Sequence, residues 1–135
     1  KTFKHLVDDR RCLILADGFY EWRQEESGKY PVYITLKGGE PFAFAGLWDG
    51  NPEPSCTIIT IAANDFLRPI HHRMPLILPQ SLENAWLGDK PFRAVQKAAA
   101  LTGSPALKFH RVSTLVNSPR NNEPDCVRPL GPSQP

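Results

Sequence analysis

Short apolar runs bounded by turn signals follow one another along the first half of the chain, the pattern of successive strands. "RCLILA" and "GFYEW" supply β-branched and aromatic residues, separated at Asp17-Gly18 by a pair suited to a bulge or tight bend. "YPVYITL" and "GEPFAFAGLW" follow, joined across "KGGE", whose adjacent glycines suit a two-residue primed hairpin turn. The charge-free, β-branched run Cys56 to Ala63, "CTIITIAA", reads as a buried central strand. In "NDFLRPIHHRMPLIL", Pro69 and Pro75 forbid a regular helix and predict a structured loop ending in the short strand "PLIL".

The pattern then changes. "LENAWL" and "FRAVQKAAAL" read as helices, the first capped by Ser81, the second opened by Asp89 and Pro91 and stopped by Gly103. "ALKFHRV" reads as a late strand, "TFKHLV" as a short helix or an approach strand, and the proline-rich tail 118–135 as a segment that wraps or frays. The sum is an α+β fold, mainly β: a curled antiparallel sheet or barrel-like core with short peripheral helices, in one domain over residues 1–135. The βαβ alternation of a dinucleotide fold and a glycine-rich phosphate loop are both absent from the sequence.

Composition narrows the function classes. A net charge of +2 is too small to mark a nucleic-acid binder by itself, so only clustering of the basic residues can do so. Cys12, Cys56 and Cys126 form neither an even disulfide framework nor a CxxC pair, which points to a reducing compartment, cytoplasmic (nucleoid-associated) in a bacterium or nuclear in a eukaryote. No stretch approaches the roughly twenty apolar residues of a spanning helix, so no membrane partner is expected. A monomer is expected.

Two residues stand out for proton chemistry. Glu21 sits among large aromatics, on the opposite strand face from Tyr20 and Trp22; if that face is inward, desolvation would let the carboxyl exchange protons near neutrality, and if outward it is a solvated edge residue. His71 and His72 are adjacent, so one is expected to point into a cleft while the other faces solvent. The four histidines and three cysteines lack ligand spacing, so no metal and no cofactor is predicted. Cys12 and Cys56 lie in apolar strands where thiols are inert, and Asp125 beside Cys126 disfavours its thiolate. Eight of the nine arginines, at positions 10, 11, 23, 68, 73, 111, 120 and 128, suit phosphate oxygens, and Trp22 or Trp48 would stack a base if exposed.

Taken in order, "RCLILADGFYEW", "FAFAGLWD", "TIITIAAN", "IHHRMPLIL" and "VSTLVNSPRNNEP" resemble the successive motifs of the SRAP (SOS response associated peptidase) domain family, from Phe3 to about Leu130. The resemblance implies recognition of abasic sites in single-stranded DNA. It also implies a covalent thiazolidine crosslink to an N-terminal cysteine, with N-terminal self-processing and lyase activity. Carried over by motif, Glu21 manages protons at the amine and imine, and His71 protonates the sugar ring oxygen. Arg73 lines the DNA path, Trp22 packs at the site, and Ser113 and Asn117 buttress it. The family's reactive cysteine belongs to a "CGR" opening that none of Cys12, Cys56 or Cys126 matches. The chain is therefore expected to be incomplete at its N-terminus and unable to crosslink as it stands. An excised piece, one segment of a complex and a truncated homologue all fit this. A noncatalytic single-strand binding module and an inactive homologue are the alternative functions.

Overall fold

A computed structural model describes residues 4–131. The chain divides into two compact units. Unit 1 comprises Lys1–Ala16, Pro41–Ala62 and Arg73–Pro105; unit 2 comprises Asp17–Glu40, Ala63–His72 and Ala106–Pro135.

Unit 1 is built on a four-stranded antiparallel sheet. Strand β4 (Phe42–Asp49) lies at its centre, with β1 (Arg11–Ala16) on one side, and β5 (Ser55–Ile58) and the two-residue β8 (Ile77–Leu78) also paired to it. β6 (Thr60–Ala62) and β7 (Arg73–Pro75) form a separate two-stranded ladder. Two helices complete the unit, α1 (Glu83–Leu87) and α2 (Phe92–Thr102). Phe92, Val95 and Ala99, at helical spacing, put one face of α2 against a core of Leu6, Ala45, Leu47, Leu76, Leu78 and Trp86. Trp86 is fully buried, and its indole N–H donates to the Cys12 carbonyl oxygen at 2.9 Å. The buried Arg11 packs its guanidinium 4.6 Å from the Trp86 ring and donates from Nε to the Val7 carbonyl at 2.6 Å. Its charge is thereby satisfied by carbonyls and an aromatic face rather than by a carboxylate.

Unit 2 holds a three-stranded antiparallel sheet in the order β2 (Phe19–Glu25), β3 (Gly28–Leu36), β9 (Leu107–Arg111). The register places Phe19 opposite Ile34 and Ile34 opposite Phe109, so one face is apolar, with Val32 and Ile34 fully buried on it. Residues 113–131 add two short 3-10 turns, Thr114–Asn117 and Pro124–Cys126.

Several sequence expectations need correction. Among the described residues no sheet is curled or barrel-like: the strands fall into three open sheets, none closing on itself. The bend at Asp17-Gly18 sends β1 and β2 into different sheets instead of continuing one. The "KGGE" segment does turn, with Gly39 at φ 76° donating its N–H to the Leu36 carbonyl at 2.9 Å, yet β3 and β4 do not pair. Pro41, which has no N–H to give a ladder, directly precedes β4. The run Cys56–Ala63 is no buried central strand; it breaks at Ile59 into β5 and β6, and Ile58 is 38% exposed. Ile59 bridges two neighbours at the break, donating to the Ala45 carbonyl and accepting from the Leu76 N–H. Ser81 caps nothing, because a 3-10 turn over Gln80–Leu82 intervenes before α1, and Pro91 rather than Asp89 occupies the position before α2. Gly103 ends α2 as expected, at φ 93°. Lys4–Leu6 form a 3-10 turn; Thr2 and Phe3 of that first segment lie outside the described residues.

Candidate functional site

Of the six residues carried over from motifs, Glu21, Trp22, His71, Ser113 and Asn117 lie in unit 2, and Arg73 lies in unit 1. Glu21 sits opposite Val32 on β3, and Val32 in turn sits opposite Arg111 on β9. Directly paired residues share a face, so the half-buried Glu21 lies on the same side of the sheet as the buried Val32 and Ile34. Of the two orientations that alternation alone left open, the register selects the inward one. The Trp22 N–H lies 3.4 Å from Glu21 Oε1.

Asp17 does not join that face. The bend at Gly18 breaks the strand phase, and Asp17 Oδ1 accepts a hydrogen bond at 2.9 Å from the hydroxyl of Tyr33, which faces the other way. A Cβ on Gly18 would lie 2.2 Å from the Tyr33 ring, so glycine is what permits this approach. Burial, and then the bond and charge of Asp17, push the Tyr33 phenol up to about 12.

Residues 63–72 carry the histidines. Asn64 Oδ1 accepts from the Leu67 N–H at 2.9 Å, the Arg68 N–H donates to the Asn64 carbonyl, and the Ile70 and His71 N–H groups both donate to the Leu67 carbonyl. These successive hydrogen-bonded turns are held down by the buried Leu67 and Ile70, and by Phe66, whose ring meets Phe109 edge-on at 5.8 Å. Phe109 lies on the Glu21 side of the sheet, so the segment ending in His71 packs on the face that carries Glu21. The two histidines do not diverge as expected: their rings stack at 4.6 Å, with His71 half-buried and His72 exposed. Divergence of neighbours is a property of extended strands, and this backbone turns.

Trp22 lies on the opposite face, in a row of aromatic rings with Tyr20, Tyr33 and His110. Its indole N–H donates to Asn117 Oδ1 at 2.7 Å. Ser113 sets up that contact: its hydroxyl accepts from the Leu115 N–H and opens the 3-10 turn that ends at Asn117. His110 donates from Nε2 to the Val127 carbonyl at 2.7 Å, so the tail is tied to the same aromatic face. Sequence reasoning missed the Phe66 anchor and the Trp22–Asn117 bond. Asn64 three residues before Leu67, a side-chain turn signal, pointed to the first; nothing local pointed to the second.

In unit 1, Arg73 opens β7 and donates from one terminal nitrogen to both the backbone and hydroxyl oxygens of Thr60, at 2.7 and 3.2 Å. Burial, and then the nearby Cys56, raise the Cys12 thiol above its ordinary range, away from the reactive thiolate. Cys56 is exposed on β5, and the buried Cys126 donates from Sγ to the Asn121 carbonyl. Among the described residues no group of three or more His, Cys, Asp or Glu is placed to hold a metal ion, and no helix is long and apolar enough to cross a membrane.

Residues 1–119 match the family model "SOS response associated peptidase (SRAP)". Among curated proteins, the chain is 39% identical to the abasic site processing protein YoqW of Bacillus subtilis, covering 93% of this chain and 60% of that protein. It is 35% identical to the abasic site processing protein HMCES of Gallus gallus, over 93% of this chain and 45% of that protein. A crystal structure of a protein from Bacteroides thetaiotaomicron superposes with a TM-score of 0.78 at 27% identity, covering 95% of this chain and 60% of that one. The chain thus spans about half of the length of these relatives.

Proposed function

The chain belongs to the SOS response associated peptidase family, and from that premise we propose that it serves the recognition and processing of abasic sites in single-stranded DNA. The observation that carries this reading is the placement of Glu21 on the apolar face of the unit 2 sheet, where the His71-bearing segment also packs. An abasic sugar in its open form presents an aldehyde. An α-amine condenses with it, releasing water, and a neighbouring thiol adds across the resulting C=N bond, its proton passing to nitrogen, to close a thiazolidine. Glu21 moves protons at the amine and imine, and His71 delivers one to the ring oxygen as the sugar opens. Arg73 contributes a cation along the strand path. Trp22, Asn117 and Ser113 form a brace behind the sheet that fixes β2 and with it Glu21.

The amine and thiol of that reaction belong to an N-terminal cysteine, whereas Cys12, Cys56 and Cys126 are internal and two of them are at least half-buried. A module that binds single strands without crosslinking is the second reading. A denaturing gel separates the two: single-stranded DNA with one abasic site is incubated with this chain and with a longer form carrying an N-terminal cysteine. A shifted band with the longer form, lost in its Glu21→Gln variant, is the expected result. No band with the longer form would sink the crosslinking reading.

A division of labour follows for noncovalent binding. His71→Ala leaves the affinity for an intact single strand unchanged, because its partner is the sugar, while Arg73→Ala lowers affinity and flattens its salt dependence. Equal losses in both variants, titrated at two salt concentrations, would refute this.

A further inference from the structure

The nine arginines of the sequence are sorted by the fold. Arg10, Arg23, Arg68 and Arg128 each face a carboxylate, Asp49 at 3.7 Å, Glu25 at 3.8 Å, Asp65 at 2.6 Å and Asp125 at 2.9 Å. Arg11 is buried against Trp86, Arg73 donates to Thr60, and Arg93 on α2 and Arg120 in the tail are exposed. Arg111 differs from all of these. It is half-buried, its guanidinium carbon lies 4.0 Å from the centroid of the Tyr30 ring, and among the described residues no carboxylate lies within ion-pair distance of it. Tyr30 is itself fixed, buried and donating its hydroxyl to Glu25 at 3.2 Å.

The position of Arg111 gives this unpaired cation its meaning. Glu21, Val32 and Arg111 form one row across β2, β3 and β9, all on the same face. With strands about 4.8 Å apart, a carboxylate and a guanidinium stand at the two ends of a row about 10 Å long, with an aliphatic side chain between them. Val32 is fully buried, so a DNA strand meets this row only at its half-buried ends, Glu21 and Arg111, a separation that a sugar and its adjoining phosphodiester can span. Bracing on Tyr30 engages the guanidinium through its ring contact and leaves the N–H donors for an anion. Because the fork is held in advance, less side-chain entropy is lost when it binds.

We propose that Arg111, braced on Tyr30, is a phosphate-binding residue that takes a phosphodiester of a single strand and so positions the attached sugar toward Glu21. This rests on the single-strand reading given above and assigns its anchoring group.

The test titrates a labelled, intact single-stranded oligonucleotide by fluorescence anisotropy at several salt concentrations. The unaltered chain, Arg111→Gln and Arg111→Lys are compared. Arg111→Gln is expected to bind about tenfold more weakly at low salt. The slope of log affinity against log salt should shrink by about 0.7, the loss of one phosphate contact. Arg111→Lys, which keeps the charge, retains the slope. Should Arg111→Gln fail to fold, protection of Arg111 from phenylglyoxal by the bound oligonucleotide, read by mass spectrometry on the unaltered chain, decides instead. Binding by the unaltered chain with an unchanged slope in Arg111→Gln, or with Arg111 unprotected, overturns the assignment while leaving the single-strand reading intact. No binding by the unaltered chain at any salt would sink the single-strand reading itself.

Discussion

The two units use their buried faces differently. In unit 1 the sheet and helices close over aliphatic side chains and Trp86, and the one buried charge among the described residues, Arg11, is spent on holding that core together. In unit 2 the apolar face of the sheet carries Glu21 and Arg111 beside Val32 and Ile34, and the polar ties that fix the sheet sit on the other face, at Asp17–Tyr33, Trp22–Asn117 and His110–Val127. A face kept partly charged contributes less to stability than a wholly apolar one. On the function proposed above, stability and chemistry are assigned to different parts of one chain.

That contrast can be broken most directly at Trp86. Trp86→Ala removes a fully buried indole, its hydrogen bond to Cys12 and the platform for Arg11, and is expected to cost about 3–5 kcal/mol in urea unfolding. A loss below about 1 kcal/mol would deny unit 1 its role as the stable core.

The aromatic face of unit 2 gives a smaller effect with a pH signature. Because the Tyr33 phenol is raised to about 12 in the folded chain, against about 10 for an unstrained tyrosine, the folded state binds the proton more tightly. The associated stability is complete below about pH 10 and is lost as pH rises towards 12. The expected loss is on the order of 1 kcal/mol, reduced by the partial exposure of the ring. Tyr33→Phe should flatten this limb of the stability profile. A limb that survives in the variant would place the effect elsewhere.

Asn117→Ala deletes the acceptor of the Trp22 indole and is expected to cost about 0.5–1 kcal/mol in thermal unfolding, the bond being solvent-accessible. Smallest of all, Glu21→Gln is expected to shift stability by less than about 0.5 kcal/mol in either direction while abolishing abasic-site processing in a crosslinking-competent form. A loss of several kcal/mol at Glu21 would turn the acid into a structural group and erase the distinction between the units.

The sequence made some of this legible and concealed the rest for identifiable reasons. Short β-branched and aromatic runs between turn signals located β1, β2, β3, β4 and β9, with alternation adding to the reading of β3, because these are local features of a strand. The partners of those strands are not local. Two adjacent glycines suggested that β3 pairs with β4, whereas β3 is flanked by β2 and by β9, the latter more than seventy residues away. The run around Ile58 looked buried because β-branched composition records strand preference and does not reveal whether both faces are covered. Glu21 was visible as an anomaly, but only its register with Val32 tells which way it faces. Asn117 and Trp22 are 95 positions apart, beyond any local signal.

That long reach also sets an order of events in time. On a ribosome, β2 and β3 emerge early and can meet at once, but a two-stranded hairpin in water is marginal at best. β9 and the Thr114–Asn117 turn are made only after α2 has been synthesised, and until then Glu21 has neither its complete sheet nor its rear brace. Unit 2 must therefore close a large loop, which makes its assembly slow and late. A nascent or C-terminally clipped chain would leave Glu21 on a two-stranded hairpin, without β9 in the sheet and without Asn117 behind Trp22.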